Sequence, residues 1–246
     1  MLACCARGAI LALALTAWTG ALPGARAGDL TDFNAAVETV SAHNRVAIGY
    51  LRTGNADLAS LEIDRLRQAW GGLTARFAGK RLDAFDGNSL YGALWTAGSA
   101  RLVAAELMLK TGRPEAAAQS LNGLRGDLYY VRQGSGIVVL ADCVRDANAI
   151  MDALMAYDDR KLDWTKSETR FGIASRASIY GHELERCETL AGEALRAAPE
   201  FRRLVDGAKA GLALIPTAIA TRDGDLLHRV LIELRSFDNL LAFRFG

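Results

Sequence analysis

The chain has 246 residues, of which 51% are hydrophobic and 23% charged, and its formal net charge at pH 7 is +1. Residues 1–27 hold two of the 29 basic residues and none of the 28 acidic ones, so the remainder carries a net charge of −1. A nearly neutral chain with interspersed signs lacks the extended basic surface on which nucleic-acid binding depends. We therefore expect no nucleic-acid partner.

The N-terminus is organised like a cleavable secretory signal. Arg7 precedes an apolar run from Ala9 to Leu22, and the small-residue triplet Ala25-Arg26-Ala27 follows, as in a signal peptide with an A-x-A cleavage site. We expect cleavage after residue 27 and a periplasmic or secreted protein. An uncleaved anchor is the alternative, although a membrane-spanning helix needs roughly 20 apolar residues. No second such run follows, so we expect no stable membrane insertion after cleavage.

Two cysteines remain beyond the predicted signal, Cys143 and Cys187. In an exported protein such a pair indicates one disulfide, formed in an oxidising compartment. Two buried thiols are the alternative. The predicted bridge would join the fifth predicted helix to the sixth.

Alanine and leucine dominate the rest of the chain, and this composition favours helices throughout. Glycines beside acidic or asparagine residues interrupt the helical pattern and predict tight turns between helices. Pro216 is expected to kink or end the helix that contains it. Polar stretches at Lys80–Ser89 and Asp158–Ser167 are predicted to be longer loops. The eight predicted helices span 31–52, 56–78, 89–111, 114–132, 136–157, 168–196, 199–221 and 224–244.

Short turns between amphipathic helices predict an all-α fold of antiparallel helical hairpins, packed as one or two four-helix bundles. Two bundles would comprise residues 28–133 and 134–246, and one continuous domain is the alternative. The predicted core of the second helix is Leu58, Leu61, Leu66 and Trp70. That of the last helix is Leu227, Leu231, Leu234 and Leu241.

A weak internal repetition supports hairpins as the building unit. When Asp57, Glu115 and Asp225 are aligned, the dipeptides Leu66-Arg67, Leu124-Arg125 and Leu234-Arg235 fall at equivalent positions. A tetratricopeptide array has a shorter period and a signature that this chain does not keep. A chance alignment of leucine-rich hairpins is the other explanation.

The segment from Phe201 to Arg244 resembles the last two helices of cytochrome c′-type bundles. Those families carry C-x-x-C-H in the final helix and then, after two further residues, an aromatic and a basic residue. Phe243-Arg244 matches the latter pair, whereas Ser236, Asn239 and Leu240 stand where the two cysteines and the histidine would be. The resemblance implies a four-helix scaffold without the residues that attach and ligate haem.

We find no catalytic, cofactor or metal-binding motif. The three histidines, His43, His182 and His228, lie in different predicted helices, and no pair has the i, i+4 spacing of a helical metal site. The serines lack a nucleophile elbow. The larger aromatic residues fit a core better than a ligand cavity, and they are Trp70, Trp95, Tyr129, Tyr130 and Trp164.

Two functional hypotheses follow. The first is an exported, non-enzymatic helical-bundle protein that binds a partner protein or a small apolar ligand. The second is a periplasmic haem- or metal-binding redox or carrier protein on a cytochrome c′-like scaffold. Its ligands would come from scattered histidine, methionine and cysteine residues, with Met108, Met151 and Met155 as the available soft ligands.

Overall fold

We describe the protein from a computed structural model covering residues 24–80, 82–159 and 161–246, with side chains from Gly28 onward. The apolar run of the predicted signal lies outside the described residues. The described residues contain helices and no strand, which confirms the predicted all-α fold. The helices are α1 (Gly24–Arg52), α2 (Ala56–Phe77), α3 (Ser89–Lys110), α4 (Pro114–Gln133), α5 (Leu140–Met155), α6 (Ser167–Leu190), α7 (Gly192–Arg196), α8 (Pro199–Leu212), α9 (Ile215–Thr221) and α10 (Gly224–Phe245).

Local chemistry explains the turns between the helices. Gly54 and Gly112 adopt positive φ angles of 74° and 71° after α1 and α3, a conformation that costs glycine little. The side chain of Asn55 accepts a hydrogen bond from the backbone of Leu58 and caps α2. Asp223 caps α10 in the same way. The helix–turn–helix units expected from the sequence are therefore present.

Some predicted boundaries are wrong. The fifth helix begins at Leu140 rather than at residue 136, because Gly136 has a φ of 67° and Val139 is extended. The predicted helix 168–196 is divided at Gly192, whose φ is 65°. The predicted helix 199–221 is divided between Leu212 and Ile215, so the expected break near Pro216 is confirmed.

The buried apolar side chains form two clusters. One contains residues of α1 to α4, from Phe33 to Val131, and the other contains residues of α5 to α10, from Cys143 to Leu241. Each cluster fills a bundle of antiparallel helices. The division into two domains, residues 28–133 and 134–246, stays a prediction, with one continuous domain as the alternative.

The predicted core positions are correct for α10 and half correct for α2. All four predicted leucines of α10 are buried. In α2, Leu66 and Trp70 are buried, but Leu58 and Leu61 are 38% and 55% exposed. The buried stripe of α2 runs instead through Ala59, Ile63, Leu66, Trp70, Leu73 and Phe77, which repeat every three to four residues.

Cys143 of α5 and Cys187 of α6 lie at disulfide distance, with 5.5 Å between their Cα atoms. Cys143 is closer to the connecting loop, in residues, than Cys187 is. The loop makes up the difference, because it runs alongside the first turns of α6. There the Tyr157 hydroxyl accepts a hydrogen bond from Arg176 at 2.9 Å.

The two bundles meet along α1, α4, α5 and α10. A buried ion pair between Arg132 and Asp142 links the end of α4 to the start of α5. The Arg145 guanidinium of α5 lies 3.9 Å from the centre of the Tyr129 ring of α4. Polar and charged side chains therefore make up much of this junction, in contrast with the apolar interior of each bundle.

Candidate functional site

An apolar groove of about 590 Å³ opens on the second bundle between α6 and the pair α8 and α9. Small residues of α6 form its floor, among them Ser178 and Gly181, whereas Leu212, Ile215 and Ile219 form the opposite wall. A Cβ atom at position 181 would lie 3.5 Å from Leu212. The groove exists because α6 has no large side chain with which to fill this space.

The electrostatic character of the groove is close to neutral. Lys209 supplies the one charged side chain of its lining, and that ammonium group pairs with Glu188 of α6. The remaining lining is largely hydrocarbon, with the Ser178 hydroxyl as a polar exception. Such a surface binds a ligand mainly by removing apolar area from water.

The sequence of α6 contains a local signal for this groove. Ala174, Ala177, Ser178 and Gly181 recur at intervals of three or four residues, which places them on one face of a helix. Pro216, which breaks the apolar stretch opposite, was identified in the sequence. Only the three-dimensional packing shows that these two features face each other.

Contrary to the expectation that no second such run follows the predicted signal, the stretch Pro199–Thr221, which contains α8 and α9, is by length and composition able to cross a membrane. It includes an 18-residue window with a mean hydropathy of 1.2. One third of its most apolar window is buried in the fold. The stretch packs against α10 and α6 through Phe201, Leu204, Val205 and Ala208. Its free side contributes to the apolar groove.

A second, polar cleft of about 270 Å³ lies where the two bundles meet. Four arginines line it: Arg45 and Arg52 from α1, Arg125 from α4 and Arg235 from α10. Arg125 and Arg235 are two of the three arginines that the internal repetition had aligned. The repetition was thus visible in the sequence, but the convergence of these side chains was not.

The three histidines do not come together. His43 Nδ1 lies 2.9 Å from the Glu62 carboxylate in the first bundle. His228 Nδ1 lies 2.5 Å from the Asp158 carboxylate in the second. His182 is exposed on α6. Each histidine therefore has a separate environment.

Among the described residues, one group of three possible metal ligands lies within 4.8 Å, and it consists of Cys143, Glu183 and Cys187. The two sulfur atoms lie at disulfide distance from each other, and Glu183 Oε1 lies 3.2 Å from the Cys143 sulfur. Burial raises the pKa of Glu183. In the disulfide form this group offers a cation a single carboxylate.

A buried polar network lies inside the second bundle. Asp238 is fully buried and accepts hydrogen bonds from Asn148 at 2.5 Å and from the Tyr180 hydroxyl at 3.3 Å. Burial raises the pKa of Asp238 to about 6, against the opposing effects of Asn148, Arg235 and Tyr180. Because three helices contribute to it, the network fixes how α5, α6 and α10 pack.

The positions that correspond to haem attachment in the cytochrome c′ resemblance lie on the outer side of α10. Ser236, Asn239 and Leu240 are all exposed, and Asn239 lines the arginine cleft. Of the larger aromatics, Trp70 and Trp95 are buried in the first bundle, whereas Tyr130 is 54% exposed. The resemblance itself stays a prediction.

Comparison with protein-family models, with curated proteins and with solved structures finds no match.

Proposed function

We propose that this chain is an exported, non-enzymatic binding protein, and that its ligand is a small apolar molecule held in the groove between α6, α8 and α9. One observation carries the proposal: the groove combines a volume of about 590 Å³ with an almost entirely hydrocarbon lining. Small-molecule sites have volumes of about 300–1,000 Å³ and are lined mainly by apolar side chains.

Two further observations support an apolar ligand. Leu214, between α8 and α9, is 45% exposed beside the groove. Phe171 is 74% exposed near the start of α6, the helix whose later residues form the groove floor. Lys209 is neutralised by Glu188, so a charged ligand would gain little from it. A ligand without charge therefore fits the lining better than an anion or a cation.

Export rests on the sequence of residues 1–27 and gains support from the cysteine pair. Cys143 and Cys187 lie at disulfide distance, and such bonds persist mainly in oxidising compartments. A periplasmic or secreted location would allow this disulfide to form and persist.

The test is a titration with the neutral fluorescent probe N-phenyl-1-naphthylamine. We expect saturable binding to the wild-type chain and at least about fivefold weaker binding to Ser178→Phe, whose new ring would occupy the groove. Ile179→Phe is the matched control, because position 179 is exposed on the same helix and does not line the groove.

Equal binding by both variants would overturn the proposal. Binding of the wild-type chain to phosphatidylcholine vesicles, lost in Ser178→Phe, would assign the groove to a membrane surface instead. Thermal unfolding of each variant separates a blocked groove from a damaged fold.

A further inference from the structure

The arginine cleft at the junction of the bundles has more positive charge than its own carboxylates neutralise. Four guanidinium groups line the cleft, and Asp152 is the single acidic residue among the lining side chains. Asp152 pairs with Arg235, which also lies 3.4 Å from the buried Asp238 carboxylate behind the lining. Arg45 is held by Glu38 at 2.7 Å, from outside the cleft, and donates a second hydrogen bond to the Gly246 carbonyl oxygen at 2.9 Å.

The other two arginines lack such partners. Within the described part of the chain, neither Arg52 nor Arg125 lies within ion-pair distance of a carboxylate. The Nη2 atom of Arg125 is buried and makes no hydrogen bond. Nη1 of Arg145, which lies over the Tyr129 ring outside the cleft lining, is also buried without a hydrogen-bond partner. A buried donor without an acceptor is costly, and a charged one more so.

The electrostatics of Arg125 agree with this geometry. Burial, followed by the positive charges of Arg145, Arg45 and Arg52, lowers the pKa of Arg125 to about 10, against the smaller opposing effect of the Asp142 carboxylate. The group therefore remains protonated at neutral pH while its positive neighbours repel it. A negative charge bound in the cleft would relieve that repulsion.

The rest of the lining suits a small ligand rich in oxygen atoms. Carboxamide groups, whose NH₂ groups can donate hydrogen bonds to an oxyanion, complete the polar lining at Asn122, Asn148 and Asn239. Arginine forks match the paired oxygen atoms of carboxylates and phosphates. A volume of about 270 Å³ corresponds to roughly nine water molecules at about 30 Å³ each. This space suits a compact anion better than a large cofactor.

We propose that the cleft binds a small oxyanion with two or more negative charges, and that this anion bridges the two bundles through Arg45, Arg52, Arg125 and Arg235. Phosphates and polycarboxylates share the required chemistry. The site is separate from the apolar groove, so either proposal stands without the other.

Isothermal titration calorimetry tests the site with pyrophosphate and with citrate, at constant ionic strength, on the disulfide-bonded chain. We expect one anion per chain, bound in the micromolar range by at least one of the two probes. Tighter binding of pyrophosphate would identify a phosphate site, and tighter binding of citrate a carboxylate site. Either result supports the proposal.

Arg52→Gln and Arg125→Gln should each weaken that binding at least tenfold. Arg52 is exposed at the end of α1, so its replacement leaves the core intact. Arg67→Gln is the matched control. It removes the same charge from the aligned position of the first hairpin, where Arg67 pairs with Glu106 at 3.2 Å, away from the cleft.

The thermal midpoint gives a second readout, because a ligand that binds only the folded chain stabilises it. We expect the anion to raise the midpoint of the wild type and of Arg67→Gln, but not of Arg52→Gln. The proposal is overturned if neither probe binds at 1 mM, or if Arg52→Gln and Arg67→Gln bind equally well.

Discussion

Reduction of the bond between Cys143 and Cys187 should remove a large part of the stability of the second bundle. The two cysteines are separated by 44 residues, which include most of α5, the loop that follows and most of α6. A cross-link over a loop of this length lowers the entropy of the unfolded chain, and the chain-entropy relation gives about 4 kcal/mol at 25 °C. Total stabilities of single domains are about 5–15 kcal/mol.

The assay is urea unfolding of a chain that starts at Gly28, in which Cys143 and Cys187 are the two remaining cysteines. We expect the free energy of unfolding to fall by about 4 kcal/mol when reductant is added. Both sulfur atoms stay in the core on reduction, so the comparison isolates the cross-link from the loss of packing. Oxidised and reduced chains should have similar circular dichroism before the transition.

The double variant Cys143→Ala, Cys187→Ala provides the control, because its stability should not respond to reductant. The reasoning is refuted if reduction changes the wild-type free energy of unfolding by less than about 1 kcal/mol, well below the loop-closure value. Two free thiols per denatured, unreduced chain would refute the bond itself.

Three further predictions concern buried polar groups and close packing. Because the pKa of Asp238 is raised to about 6, protonation of this carboxyl group stabilises the folded chain fully below about pH 4, and that stabilisation is lost as the pH rises to about 6. Urea unfolding between pH 4 and 7 should show the free energy of unfolding fall in the wild type, and fall less in Asp238→Asn. Gly98→Ala should destabilise the protein by about 1–3 kcal/mol, because the added Cβ would lie 2.2 Å from the buried Trp70 indole. Gly71→Ala, whose added Cβ meets no atom within 4 Å, should instead stabilise its helix by about 0.5–1 kcal/mol. Thermal unfolding distinguishes the two variants. Asp142→Asn should cost about 3–5 kcal/mol, because it leaves the Arg132 guanidinium buried without its charged partner; an unchanged urea midpoint would contradict this.

Local sequence patterns predicted the helices and hairpins because each depends on residues that are close in the chain. Glycine and asparagine turns, and the leucines of α10, lie where their spacing indicates. The wrong core positions in α2 arise because a local pattern does not identify which apolar stripe of the helix is buried. Leucines 58 and 61 are as apolar as Leu66, and only the position of the neighbouring helices determines which stripe is buried.

The candidate sites depended on contacts between distant residues. Arg45, Arg52, Arg125 and Arg235 come from three helices, and a net charge close to zero gave no indication of their convergence. The Leu-Arg repetition marked Arg125 and Arg235 as equivalent, but a repeat does not reveal that two of its copies face one cleft. The cysteine pair was predictable because the two cysteines that follow the predicted signal allow one intramolecular pairing.

The central claim, that the groove between α6 and α8–α9 holds a small apolar molecule, is tested most directly by what the protein carries when it is purified. The protein should be isolated from the cells that produce it naturally and extracted with organic solvent, and the extract should be analysed by mass spectrometry. The account predicts an apolar compound that approaches one molecule per chain in the wild type and in Ile179→Phe, and that is depleted in Ser178→Phe. Extracts that are identical for all three proteins would contradict it.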